Sequence, residues 1–144
     1  MKNELLVTSL NKKFKKFEKD AKRIILRALE ILGKKNVSAE IYLIDGRKMR
    51  FLNRKFRGKD KTTTVLSFEE PRNFVSPPSK HKKIGEIYIN MSNVKCPALP
   101  AGRQKSKVYL IHGLLHLLGY NHKKKNDRIR MMKIERLLIK KLKN

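Results

Sequence analysis

Three of the chain's four histidines fall within HGLLHLLGYNH, from His112 to His122. His112 and His116 are four positions apart, so on a helix their imidazoles stand one turn apart on one face and can reach a single ion. A straight helix would turn His122 about 80° off that line and carry it roughly 15 Å along the axis. Gly119 lies between them, where a helix can end and the chain fold back. With that turn the three imidazoles form one ligand set with a position left for water. That is the arrangement of a catalytic zinc site, whereas a structural one is closed by four protein ligands. The remaining residues around the three include six that are Leu or Gly, in a chain with one other histidine, and this favours a metal site over chance. The other histidine, His81, sits in a lysine-rich stretch after two prolines and carries no such pattern.

The spacing matches the frame HExxHxxGxxH of zinc proteases at both helix histidines, the glycine and the last histidine. Gly113 stands where that frame has Glu, the residue that takes the proton of metal-bound water. A peptidase built on this site would lack its usual base. Gly113 has two readings: it removes bulk beside the metal so that a phosphate can come close, or it allows tight packing against a strand. Three imidazoles suit zinc, and also nickel, copper or iron.

The charge balance narrows the partners. Lys and Arg number 37 against 12 Asp and Glu, a formal net charge of +25 that seeks a polyanion: nucleic acid, an anionic membrane face or an acidic protein. The longest run without a formal charge, Val108 to Asn121, is shorter than the roughly 20 residues that span a bilayer, so it reads as a buried helix. Near the N-terminus only Leu5, Leu6 and Val7 form an apolar row, so no leader core is expected, and a cytoplasmic location follows. Cys96 is the one cysteine and lies before Pro97 with no motif around it, which agrees with a reducing compartment. Aromatic residues make up 7% with no Trp, so extensive stacking on nucleic-acid bases is not expected.

The elements that must position the histidines are read from periodicity. LLVTSL reads as a strand. Phe17, Ala21, Ile24, Ala28 and Leu32 then lay one stripe along a helix that Gly33 ends. VSAEIYLI is a strand, and Asp45-Gly46 turns the chain into a short helix through MRFLNRKF, stopped by Gly58. TTTVLSF and GEIYIN are strands, with EEPRNFVSPPSKHKK a loop between them. KCPALPAGRQ reads as a second loop before the apolar helix Lys105 to Leu118, and Met131, Ile134, Leu138 and Leu142 mark a final amphipathic helix from Asn126. The 144 residues fit one domain, 1–144, of α+β class: a small mixed sheet covered by helices, with the metal-motif helix the most buried.

With these blocks in place the chain resembles the YbeY family of bacterial endoribonucleases. The family hallmark HGxLHLxGYDH is met by His112, Gly113, Leu115, His116, Leu117, Gly119, Tyr120 and His122. A second block, LNxxYRxxDxxTDVLSF, is met by Leu52, Asn53, Arg57, Asp60, Thr63, Val65, Leu66, Ser67 and Phe68, with Phe56 in place of Tyr. A third, a glycine and an acidic residue opening a strand, appears as Gly85-Glu86-Ile87. Two departures remove acidic groups: Asn121 replaces Asp before the last histidine, and Thr64 replaces Asp in TDVLSF. An Asp at 121 could orient a ligand imidazole, so its loss predicts weaker metal binding. KKKNDRIR after the motif replaces a stretch that is often acidic in the family, and CPALPAGRQKSK looks unlike its usual helical lead-in.

The resemblance implies a metal-dependent, single-strand-specific endoribonuclease acting in ribosomal RNA maturation, notably at the small-subunit 3′ end, and in ribosome quality control. It implies one zinc ion on His112, His116 and His122, and it places Arg57 facing the metal cleft. Arg57 and His116 are then the catalytic candidates. Arg57 is also a substrate-binding residue, because its planar donor fork suits phosphate. Lys55, Lys59 and Lys61 are candidates to position the RNA backbone, with Ser67 and Asn121 as polar neighbours of the site. Partners would be single-stranded ribosomal RNA and small-subunit proteins or a ribosome-associated GTPase, not a membrane. Two other classes fit parts of the pattern. A metallopeptidase explains the histidine spacing but neither Gly113 nor the charge, and a non-catalytic zinc-containing assembly factor explains charge and metal together.

Overall fold

Side chains alternate across a strand, so a sheet with helices on both faces needs apolar residues at successive positions. β2 (Val37–Ile44) and β4 (Lys82–Asn90) have them. Ala39, Ile41 and Leu43 of β2, with Ile87 and Ile89 of β4, enter the main core, while Tyr42, Ile44 and Tyr88 face the other side. The computed structural model describes residues 2–71, 81–93 and 100–142, and Cys96, with the stretches 72–80 and 94–99, lies outside the described residues. The remaining elements are β1 (Glu4–Ser9), α1 (Glu18–Ile31), α2 (Gly46–Arg57), β3 (Val65–Glu69), α3 (Pro100–Leu117) and α4 (Lys125–Lys141).

The strands run β1-β2-β4-β3, with β1 and β4 parallel to β2 and β3 antiparallel to β4, which gives the mixed sheet and the α+β class expected. α1 and α3 cover one face, and α4 packs on α3. α2 covers part of the other face with Met49 and Leu52 over Ile44 and Leu66. Among the described residues α3 is the most enclosed helix, with Leu110, Ile111, Leu114, Leu115 and Leu117 buried. Burying each such side chain contributes on the order of 1.5–3 kcal/mol, so the helix that carries the histidines is firmly anchored.

Boundaries differ from the sequence reading in four places. α1 is preceded by a 3-10 turn, Lys12–Phe17, in which Phe14 is buried and Lys13 N–H donates to the Asn11 side chain at 3.1 Å. β3 starts at Val65 and not at Thr62, because the buried Asn90 amide donates to Thr62 Oγ1 at 2.9 Å and to Thr63 O at 3.1 Å. β4 begins at Lys82, so Gly85 and Glu86 lie inside that strand instead of opening it, held there by pairing to β2. α3 begins at Pro100, within the stretch read as loop. Proline suits a first helical position, since the N–H it lacks would have no partner within the helix.

The second helix matches its reading closely. Lys48 N–H donates to Asp45 Oδ1 at 2.9 Å to cap α2, and Gly58 ends it with φ +70°. His81 is a framework residue, its Nε2 at 2.8 Å from Lys2 O and its Nδ1 at 3.1 Å from Glu4. Among the described residues no helix is long and apolar enough to cross a membrane.

Candidate metal centre

The site starts from the way α3 ends. Gly119 takes φ +98°, and the two amides beyond the last turn bond back into it: Gly119 N–H to His116 O at 3.1 Å and Tyr120 N–H to Leu115 O at 3.0 Å. This double closure is the glycine-dependent helix stop, and it reverses the chain so that His122 returns toward its own helix. The ring centroids of His112 and His122 are then 5.1 Å apart and nearly parallel, and those of His116 and His122 are 5.3 Å apart. His112 and His116 are half-buried and His122 is exposed.

One ligand nitrogen from each of the three lies within 4.8 Å of the others. Two imidazole nitrogens on one tetrahedral zinc stand roughly 3.3 Å apart at ordinary bond lengths. His112 Nε2 and His116 Nε2 face each other at 3.0 Å, so this donor set fits such an ion. Burial, reinforced by the neighbouring His112 and His122, pushes the His116 imidazole below the usual histidine range. The neutral form it favours is the one that binds metal.

The opposite nitrogen of His112 is also engaged: Nδ1 is 2.8 Å from Glu135 Oε1. Glu135 comes from α4, which Met131 and Leu138 anchor in the core. The sequence reading missed it, although it lies on the same stripe as Met131 and Leu138, where a lone acid is out of place.

Gly113 resolves in favour of packing. A Cβ there would meet Ile87 Cγ2 at 2.9 Å, Ser67 Oγ at 3.1 Å and Val65 Cγ2 at 3.2 Å, so the missing side chain points into β3 and β4. The room it creates is taken by the sheet, which removes the reading of open space for a phosphate beside the metal. Asn121 also has a different task from the one inferred for an acid at that position. Its Oδ1 accepts from Lys123 N–H at 3.0 Å, which shapes the turn that carries His122.

Arg57, at the end of α2, donates from a terminal guanidinium nitrogen to Ser67 O at 2.9 Å, and its guanidinium carbon lies 5.1 Å from the Phe68 ring centre. Phe68 is itself packed edge-on against Phe56 and Tyr88. Ser67 Oγ donates to Gly113 O at 3.0 Å. Two hydrogen bonds through Ser67 therefore link Arg57 to the turn of α3 that carries His112 and His116. Lys59 and Lys61 lie exposed in the turn after α2, on either side of Asp60, which is paired to Arg50 at 3.0 Å. The Lys55 ammonium lies over the Phe51 and Phe56 rings.

The chain is similar to known proteins over most of its length. The family described as Endoribonuclease YbeY matches residues 6–143. Proteins named Endoribonuclease YbeY share 36% identity over 121 residues in Sulfurihydrogenibium sp. (strain YO3AOP1) and 38% over 121 residues in Persephonella marina, each covering 82% of this chain and 76% of the relative. One from Aquifex aeolicus shares 36% over 126 residues, covering 85% of this chain and 80% of the relative. The solution structure of TM1509 from Thermotoga maritima has the same fold, with TM-score 0.58 at 24% identity over 94% of this chain and 87% of that one. With a family match over nearly its whole length and curated relatives at this identity, the chain belongs to the YbeY endoribonuclease family.

Proposed function

We propose that this protein is a metal-dependent, single-strand-specific endoribonuclease of ribosomal RNA maturation, acting at the small-subunit 3′ end and in ribosome quality control. The observation that carries the metal dependence is the convergence of His112, His116 and His122 within 4.8 Å, in a chain of the endoribonuclease family. A zinc ion held there would lower the pKa of its bound water to near 7 and polarise a phosphate oxygen. The three imidazoles would hold it, with His122 on the exposed side of the site. Arg57 spends one N–H on Ser67 O, and its other donors can take phosphate oxygens as charge builds on them. Lys59 and Lys61 would hold the backbone on either side, each such phosphate contact contributing a salt slope of about −0.7 on single strands.

Glu135 does not restore the base of a peptidase. It lies on the Nδ1 side of His112, across the ring from the nitrogen that faces His116. This weighs against peptide hydrolysis. The charge of +25 suits RNA and the crowded phosphate surface of a ribosomal subunit, where small-subunit proteins or a GTPase would be neighbours.

The test uses single-stranded ribosomal RNA with the purified chain, with and without a chelator, beside His116→Ala and Arg57→Ala. Wild type should cleave, while chelator and His116→Ala stop cleavage and Arg57→Ala slows it with RNA still bound. Intact RNA throughout, with binding preserved, would assign the chain to non-catalytic assembly. Cleavage that survives chelator and both substitutions would reject the histidine site as its source.

A further inference from the structure

We infer that Glu135 is the positioning residue of the metal centre, the carboxylate that fixes the tautomer and aim of His112; this rests on the metal-dependent reading of the site. A ligand imidazole must present an unprotonated nitrogen to the ion, and the hydrogen bond made by its other nitrogen decides which one that is. Glu135 Oε1 lies 2.8 Å from His112 Nδ1, so a carboxylate there accepts the Nδ1 proton and leaves Nε2 to face His116 Nε2 at 3.0 Å. The pair is partly shielded, with 31% of the His112 side chain and 21% of the Glu135 side chain accessible, and both parent helices are anchored by buried residues. Asn121, the residue before the last ligand, has its oxygen committed to Lys123 N–H. The acidic group that orients a ligand is therefore supplied by α4, 23 residues from the histidine it serves.

The role predicts two measurements on the full chain, compared among wild type, Glu135→Ala, Glu135→Gln and His116→Ala. The first is zinc affinity at fixed pH by competition with a chromophoric chelator. Glu135→Ala should bind zinc about 10- to 100-fold more weakly. Glu135→Gln should recover most of the loss, because an amide oxygen still accepts the Nδ1 proton. The second is the imidazole NMR signal of His112 in the zinc-loaded chain, with its Nδ1 proton slow to exchange in wild type and Glu135→Gln and fast in Glu135→Ala. Melting of the metal-free variants separates these effects from loosening of α4, and if Ala unfolds the chain, Glu135→Gln must keep the protected proton. Unchanged affinity in Glu135→Ala, or an Nδ1 proton as well protected there as in wild type, overturns the inference while the metal centre stands. Wild type that binds zinc no better than His116→Ala overturns both.

Discussion

Substituting Gly113 decides whether it is the mark of a changed chemistry or of a close helix-to-sheet contact. In a helix interior Gly→Ala alone stabilises by about 0.8–1 kcal/mol. Here the added methyl would meet Ile87 Cγ2 at 2.9 Å, with Ser67 Oγ at 3.1 Å and Val65 Cγ2 at 3.2 Å. Two of these atoms belong to β-branched side chains with little freedom at χ1, and Ile87 is fully buried, so α3 or the strands must shift. Overpacking costs about 1–3 kcal/mol, and with the Ile87 contact under 3.0 Å the upper part of that range, about 2–3 kcal/mol, applies and leaves a net loss on the order of 1–2 kcal/mol. For a chain of this size, at about 2–4 °C per kcal/mol, that lowers Tm by about 2–8 °C. Thermal melting of the metal-free Gly113→Ala chain, with the denaturant slope checked for an unchanged m-value, reads it directly. Gly113→Glu, which reinstates the protease spacing in sequence, starts its side chain along the same line into β3 and β4. It should destabilise the chain further and yield no peptide hydrolysis. A Gly113→Ala chain that melts at or above wild type would refute the packing account, because propensity alone would then govern the site.

Arg57→Lys keeps the charge but loses the planar fork and its place over Phe68, so RNA cleavage should fall by about 10²–10³ while the salt slope of RNA binding changes by less than one contact; an unchanged rate would remove Arg57 from the chemistry. Asn121→Asp should leave zinc affinity within about twofold, since either oxygen accepts from Lys123 N–H, and Asn121→Ala should weaken it by releasing the turn before His122. Tighter zinc binding by Asn121→Asp alone, read by chelator competition, would show that charge matters there after all. Glu86 provides a pH test away from the metal. Burial is the largest influence on its carboxyl, and together with Glu40 and Glu70 it outweighs the opposing pull of Lys83 and pushes the carboxyl above the usual range. The folded state then holds that proton more tightly than the unfolded one, so the stability it contributes is present in acid and lost as pH rises through the folded value. Glu86→Gln should raise Tm relative to wild type at pH 7 and lose the advantage near pH 4; an equal shift at both would deny the burial effect.

The boundary between what was legible in the residues and what was not tracks the range of the forces involved. Helix pitch and the glycine stop act within one or two turns, so HGLLHLLGYNH could be read as a returning loop that brings three imidazoles together, and α3 closes at Gly119 by those two bonds. Strand alternation is equally local, which is why β2 and the last residues of β4 were visible. The errors were at positions where a distant partner decides. Thr62 and Thr63 have strand propensity, but the amide of Asn90 claims them, and Asn90 belongs to another strand. Glu135 lay in plain view on an apolar stripe and carried no meaning until α4 was laid against α3.

The same distinction changes how the LNxxYRxxDxxTDVLSF block is understood, and with it the link from fold to chemistry. Of its matched residues, Leu52 and Leu66 are core, and buried Asn53 donates to Lys61 O at 2.8 Å. Asp60 is paired to Arg50, and Thr63 O accepts from Asn90. Val65 and Ser67 border Gly113, and Phe68 lies beneath Arg57. Nearly the whole block is thus spent on fixing one turn and one edge strand. What that framework delivers is a single guanidinium, held by Ser67 O and joined through the same serine to the metal helix. Ser67 can make both bonds at once because its carbonyl and its hydroxyl are separate groups. If Ser67 is replaced by Ala, the Arg57 bond to its carbonyl should persist while the bond to Gly113 O is lost. Zinc affinity should then change little and RNA cleavage fall by less than with Arg57→Lys. A larger effect on metal affinity than on cleavage would mean that the serine supports the histidine helix first and the arginine second.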